Sequence, residues 1–205
     1  VLPLAHLVPG PVHYALAGGG AHGAVQWGLL QALSETDLTP DALIGTSAGA
    51  LSGVIYAEDP VSGLNRLAYI WGQLDTHFII SENWLSRLAN ARQIALVDNA
   101  TERGTLDDLL TAETFADLAL PFAVVATDVA TGRAIVIDSG PLIPALLASS
   151  AIPGALPPVP IDDRLLFDGL ASANLPAMPA VRRGAGAIVV LATGGRDPGE
   201  INGSS

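Results

Sequence analysis

The sequence predicts an α/β fold built around a parallel sheet, on two successive strand-turn-helix units near the N-terminus and on the continued alternation of apolar strand runs with helical stretches along 205 residues. Residues 12–17 form a short buried-type strand that runs into the glycines of 18–23 and then into residues 24–33, whose apolar spacing is helical. Residues 42–44 repeat the pattern as a strand, residues 45–49 as a tight turn, and residues 50–57 as a helix of small residues. Residues 61–110 read as mostly helical, with Trp71 and Trp84 expected in the core. Strands return at 122–126 and 134–137, joined as a hairpin across Thr131-Gly132, and again at 165–167 and 187–191. No repeat and no long linker divides the chain. A single domain over 1–193 is expected, with 194–205 as a polar tail or the start of a continuation.

Half the residues are apolar, so membrane spans are tested first. Residues 1–34 and 139–161 carry no Asp, Glu, Lys or Arg, but prolines and the Gly18-Gly19-Gly20 run break both, whereas a spanning helix needs about 20 continuous apolar residues. With no basic, signal-like N-terminal segment, a soluble cytoplasmic protein is expected, at most peripheral to a membrane. The formal charge is −11, with nine arginines and no lysine, which disfavours nucleic acid as a partner. Lacking lysine, the chain has no amine for a Schiff base or a Walker A loop, and lacking cysteine it has no thiol nucleophile or disulfide scaffold. His6, His13, His22 and His77 show no metal-ligand spacing, and neither a metal nor a cofactor is assigned.

Three sites carry chemistry. Gly45-Thr46-Ser47-Ala48-Gly49 matches G-x-S-x-G, in which a strained strand-to-helix turn pushes the serine hydroxyl outward while Gly45 and Gly49 prevent clashes between its two arms. The bland alternative is a strand-helix turn with an incidental serine. Gly18-Gly19-Gly20-Ala21-His22-Gly23 fits two readings. One is a dinucleotide fingerprint, but that requires an acid at the C-terminal end of the second strand, and the available acids, Asp37 and Asp41, precede that strand. The other is an oxyanion hole, with backbone N–H groups of Gly18, Gly19, Gly20 and Ala21 converging on a tetrahedral intermediate. The third site follows from the need for a base. A usual triad places its histidine late in the chain, and none follows His77, so a carboxylate must act directly. Asp168 ends an apolar strand and is followed by Gly169 in the only Asp-Gly pair, which also suits an ordinary turn.

These three motifs in this order resemble the patatin-like phospholipase family: a glycine-rich oxyanion loop, G-x-S-x-G, then Asp-Gly. Ala148-Ser149-Ser150-Ala151-Ile152-Pro153-Gly154 with Pro157-Pro158-Val159 resembles the family's segment before the acid, and Asn174-Leu175-Pro176 the segment after it. The resemblance implies a three-layer α/β/α sandwich with a mainly parallel central sheet. It also implies a lipid acyl hydrolase acting as a phospholipase A, lysophospholipase or esterase without metal or cofactor, with a lipid or acyl ester as substrate, met in some members at a membrane surface. By resemblance the nucleophile is Ser47, the base Asp168 and the oxyanion donors the Gly18-Gly19-Gly20 turn with Ala21. Two departures stand out. His22 occupies a position where the family usually has Arg or Lys, and Leu170 follows Asp-Gly where Gly or Ala is usual, so Leu170 is expected to crowd the acid's turn. Two rival readings follow, a catalytically weak regulatory scaffold and a dinucleotide-binding module.

Overall fold

The computed structural model describes residues 3–73 and 100–194. His77, Trp84, the middle of the stretch expected to be helical and all of the tail beyond Gly194 lie outside the described residues. The strands are β1 (Val12–Leu16), β2 (Ala42–Thr46), β3 (Phe122–Asp128), β4 (Ala134–Ile137), β5 (Val159–Ile161), β6 (Arg164–Asp168) and β7 (Ala187–Leu191). The described α-helices are α1 (Gly23–Ser34), α2 (Ala48–Glu58), α3 (Pro60–Gln73), α4 (Ala100–Leu109), α5 (Leu142–Ser150), α6 (Leu170–Ala173) and α7 (Ala177–Arg182). Every strand expected from the apolar runs is present, and the hairpin turns where Thr131-Gly132 places it, with β3 and β4 antiparallel.

One sheet joins all seven strands through the pairings β5-β6, β6-β3, β3-β2, β2-β1 and β1-β7, with β4 also paired to β3. β7, β1, β2 and β3 are mutually parallel, while β4, β5 and β6 extend the sheet with antiparallel pairs. Side chains alternate between the two faces of a strand, and each face packs against its own helices. Tyr14, Leu16, Leu43 and Val124 point into the larger core, against Leu30 of α1, Val54 and Ile55 of α2, Leu67 and Trp71 of α3, and Leu142 of α5. The interleaved Ala15, Ile44, Ala123 and Val125 face the other way, onto Ala180 of α7 with Ala173 of α6 alongside. Helices therefore flank both faces, which is the α/β/α layering expected.

α2 is apolar on almost every side, with eight of its residues buried, so it lies between the sheet and α3 rather than on the surface. Full burial of Val54 and Ile55 stabilises the fold by about 1.5–3 kcal/mol each. Helix α5 occupies part of the proline-rich stretch that sequence reasoning dismissed only as a membrane span. Pro144 is tolerated because it sits in the first helical turn, where N–H groups have no acceptor within the helix. No described helix is long and apolar enough to cross a membrane.

The pairing around β3 sets up the site. Val124 and Val125 pair with Gly45 and Thr46 of β2 and also with Ile137 and Val136 of β4, so β2 and β4 occupy opposite edges of β3. Ala126 and Thr127 pair with Ile135 and Ala134 of β4 and also with Asp168 and Phe167 of β6, so β6 occupies the same edge as β2. β2 runs parallel to β3 and ends at Thr46 beside Val125, while β6 runs antiparallel and ends at Asp168 beside Ala126. Their C-terminal ends therefore meet head to head on one edge, which brings Ser47 and Asp168 together across 121 residues of sequence.

Candidate active site

Ser47 follows the last residue of β2 and precedes α2, with φ 53° and ψ −122°, a left-handed conformation that a side chain adopts only under constraint. The constraint is steric. A Cβ on Gly45 would lie 2.6 Å from the Gly49 carbonyl carbon and 2.7 Å from Ala50 Cα, and one on Gly49 would lie 2.6 Å from the Ala17 carbonyl oxygen. Both glycines allow the helix to start hard against the strand it follows and against the end of β1. Ser47 is half-buried, so its hydroxyl remains reachable.

The Ser47 Oγ donates a hydrogen bond to Asp168 Oδ2 at 3.0 Å. The other carboxylate oxygen, Oδ1, accepts the Leu170 backbone N–H at 2.8 Å, which fixes the rotation of the carboxylate. Asp168 is 1% exposed. Burial pushes its carboxyl above the usual carboxylate range, and the Leu170 and Ser47 hydrogen bonds pull it part of the way back. A carboxylate so raised is a stronger base than a free aspartate. Its backbone is held as well, since the Asp168 N–H donates to the Ala151 carbonyl at 3.0 Å and its carbonyl accepts the Thr127 hydroxyl at 2.9 Å. Gly169 is required by proximity: a Cβ there would meet Thr46 Cγ2 at 2.8 Å and the Val125 carbonyl carbon at 3.0 Å. The crowding expected from Leu170 does not occur. Its side chain is 52% exposed and points away from the buried turn, while its N–H serves the acid.

The glycine loop leaves β1 at the same sheet edge. Gly18 lies so close to the elbow that a Cβ would meet Ser47 Cβ and the Thr46 carbonyl oxygen, each at 3.3 Å. The donor role expected of Gly18 is corrected by the geometry, because its N–H already donates to the Asn174 carbonyl at 3.0 Å. Gly20 adopts φ 54°, which turns the chain into the 3-10 turn Gly20–His22 ahead of α1. Among the described residues the backbone N–H groups of Gly19 and Gly20 have no acceptor. Gln26, fully buried on α1, donates through Nε2 to the Ala17 carbonyl at 2.7 Å and the Leu191 carbonyl at 3.1 Å, tying the loop's stem to β7. His22 is exposed, its Nδ1 3.2 Å from the Gly19 carbonyl oxygen within the same turn.

Sequence reasoning missed three contributors. Ser149 is fully buried; its hydroxyl donates to the Val125 carbonyl at 2.7 Å and accepts the Ser47 N–H at 2.8 Å, so it clamps the elbow to β3. A pair of serines inside an otherwise apolar, uncharged stretch was the available signal, since a buried hydroxyl requires partners. Thr127 accepts a hydrogen bond from Ser172 at 2.7 Å while holding the acid's carbonyl. The Ala48 N–H, on the residue after Ser47, opens α2 where no helical acceptor exists. Asp37 and Asp41, the acids a dinucleotide would need, serve the opposite end of the sheet: Asp41 accepts the Val12 N–H at 2.7 Å and Asp37 the Ala5 N–H at 2.8 Å.

Fold and site together define an α/β domain with a serine on a strand-to-helix elbow, faced by a buried aspartate at the C-terminal edge of its parallel strands. The model of the family described as Patatin-like phospholipase matches residues 14–181, and the chain belongs to that family. It is 33% identical to a patatin-like phospholipase domain-containing protein of Caenorhabditis elegans over 92% of this chain and 14% of that protein. It is 30% identical to patatin-like phospholipase domain-containing protein 7 of Mus musculus over 97% of this chain and 15% of that protein. A Mycobacterium tuberculosis protein of the NTE family is 28% identical over 92% of this chain and 50% of its own length. The chain thus spans about one seventh of the animal relatives and half of the mycobacterial one. Among solved structures, VipD from Legionella pneumophila superposes with a TM-score of 0.52 at 16% identity, covering 87% of this chain and 49% of VipD, a likeness of fold.

Proposed function

We propose that this domain hydrolyses carboxylic esters of lipids through a Ser47–Asp168 dyad, acting as a phospholipase A, lysophospholipase or esterase. The observation that carries the reading is the 3.0 Å hydrogen bond from the Ser47 hydroxyl, on a strained elbow, to a buried carboxylate whose basicity burial raises. Asp168 takes the Ser47 proton as Oγ attacks the ester carbonyl carbon. The N–H groups of Gly19, Gly20 and Ala21, with that of Ala48 from the helix side, hold the oxyanion that develops on the carbonyl oxygen. When the carbon–oxygen bond to the leaving group breaks, Asp168 returns the proton to the departing alkoxide. Water then attacks the acyl-serine with Asp168 again as base, releasing the fatty acid and restoring Ser47.

Gly18 supports the loop through its contact with residue 174. Exposed Leu170, Leu175 and Met178, which follow the acid in the chain, supply an apolar approach suited to acyl chains presented at a membrane surface. Ser47→Ala and Asp168→Asn are each expected to abolish hydrolysis of a short p-nitrophenyl ester while the far-UV spectrum stays unchanged. A fluorophosphonate should label the parent at Ser47 and leave the Ser47→Ala variant unlabelled. Substantial turnover by either variant would overturn the dyad, and an unlabelled, inactive parent would favour the regulatory scaffold.

A further inference from the structure

We propose that the Asn174 carboxamide donates a hydrogen bond to the substrate's carbonyl oxygen, as a side-chain member of the oxyanion hole; the inference rests on the hydrolase reading above. Asn174 is exposed, and its side chain makes no hydrogen bond among the described residues, so it is available to a ligand. Its place beside the nucleophile is fixed by Gly18. A Cβ on Gly18 would lie 2.5 Å from Asn174 Oδ1 and 3.3 Å from Ser47 Cβ, so the amide and the nucleophile both border the small space that glycine leaves open. A half-turn of the terminal amide exchanges Oδ1 for Nδ2, a donor of two hydrogens.

The backbone beneath this side chain is locked to both halves of the site. The Asn174 carbonyl accepts the Gly18 N–H at 3.0 Å, and the preceding Ala173 carbonyl accepts the Thr46 hydroxyl at 2.9 Å, one residue before the nucleophile. Asn174 therefore moves with the glycine loop and with the elbow, as a group that must meet a developing charge to within tenths of an ångström should. A side-chain donor here would complement the backbone N–H groups of the proposed hole. Two of the nearest backbone donors are engaged elsewhere, the Ser47 N–H by Ser149 and the Gly18 N–H by Asn174 itself. A neutral amide adds a donor without neutralising Asp168, and no proton changes hands in its step.

Asn174→Ala and Asn174→Asp decide the matter, assayed on p-nitrophenyl butyrate beside the parent and Ser47→Ala, with thermal midpoints measured on each. Loss of one oxyanion donor typically lowers kcat by about 10²–10³, and Asn174→Ala is expected to lose at least about tenfold in kcat with KM and thermal midpoint essentially unchanged. The backbone contacts survive that substitution, which separates a donor role from a structural one. Asn174→Asp should be slower still, since a carboxylate beside the forming oxyanion repels it. If either folded variant keeps a kcat within about twofold of the parent while Ser47→Ala is inactive, the Asn174 inference alone is overturned. Should the alanine variant fail to fold, the nearly isosteric aspartate variant gives the answer. Activity in Ser47→Ala would overturn the hydrolase reading itself, and the Asn174 role with it.

Discussion

Ser47 Oγ lies 3.0 Å from Asp168 Oδ2 because the strands that carry the two residues end head to head on one edge of β3, at the neighbouring positions Val125 and Ala126. A parallel and an antiparallel strand sharing one edge present their C-terminal ends to each other. The meeting of Ser47 and Asp168 is therefore a product of sheet topology and needs no long loop to close it. No histidine is required to bridge the distance, since the carboxylate already stands within hydrogen-bonding reach of the serine.

Activity should fall with acid along a single ionisation. As the proposed base, Asp168 works only when ionised, and burial raises its carboxyl above the 3.8 of an ordinary aspartate. The acidic limb of kcat/KM is thus expected at a higher pH than a free carboxylate would give, with one proton lost across it. A profile of kcat/KM on a neutral ester checks this, and an inflection at or below the ordinary value would contradict a buried base.

The same burial predicts that Asp168→Asn stabilises the fold as it removes activity. A carboxyl whose folded pKa is raised binds its proton more tightly in the native state than in the unfolded one. Above its folded pKa the native state holds a charge it disfavours, and the parent gains stability only as pH falls through the folded pKa towards the unfolded value. Asparagine keeps the shape and loses the charge. The variant should therefore melt above the parent at about pH 8, with the gap closing in acid. A lower midpoint for the variant at neutral pH would show that the carboxylate is held more favourably than its burial implies.

Glycines at the site and glycines on the surface should respond oppositely to alanine. Gly169→Ala forces a methyl against Thr46 Cγ2 and the Val125 carbonyl, where backbone must move, and overpacking of this kind costs about 1–3 kcal/mol. Gly28 is exposed in the middle of α1 with nothing near its Cβ position, so Gly28→Ala should stabilise by about 0.5–1 kcal/mol through the unfolded chain and helix propensity. Urea unfolding of both variants measures the contrast. Equal effects would mean that the tight packing around Gly169 relaxes at little cost.

The legible parts of the molecule were those governed by one period or one turn. Residues 12–16 and 42–46 are strands buried along nearly their whole length, and they read as short apolar runs because helices cover both of their faces. The G-x-S-x-G turn and the Asp168-Gly169 pair stood out from local spacing and from the absence of later histidines, and the fold brings Ser47 and Asp168 to 3.0 Å of each other. α5 and β5 were not found, because prolines at 144 and 160 look like breaks although they sit in a first helical turn and in a short edge strand. The Gly18 assignment failed for a different reason: whether its N–H is free depends on residue 174, which only the fold brings beside it.

Ser149 is the residue whose loss should separate positioning from chemistry. Its hydroxyl is buried between the Val125 carbonyl and the Ser47 N–H, and it holds the strained backbone of Ser47 through that N–H. Ser149→Ala leaves the buried Val125 carbonyl and the part-buried Ser47 N–H without this partner, and a buried group left unsatisfied costs about 1–3 kcal/mol. A destabilised but well-packed variant would keep its KM, whereas a relaxed elbow would let Ser47 leave its φ of 53° and drop out of line with Asp168. The expected outcome is both a lower unfolding midpoint and slower fluorophosphonate labelling measured well below that midpoint, where the whole population is folded. Ser149→Thr keeps the hydroxyl and should recover the labelling rate, even if its extra methyl disturbs the packing of α5. If Ser149→Ala labels at the parent's rate while unfolding earlier, the bridge serves the sheet alone, and the conformation of Ser47 is set entirely by the close packing at Gly45 and Gly49.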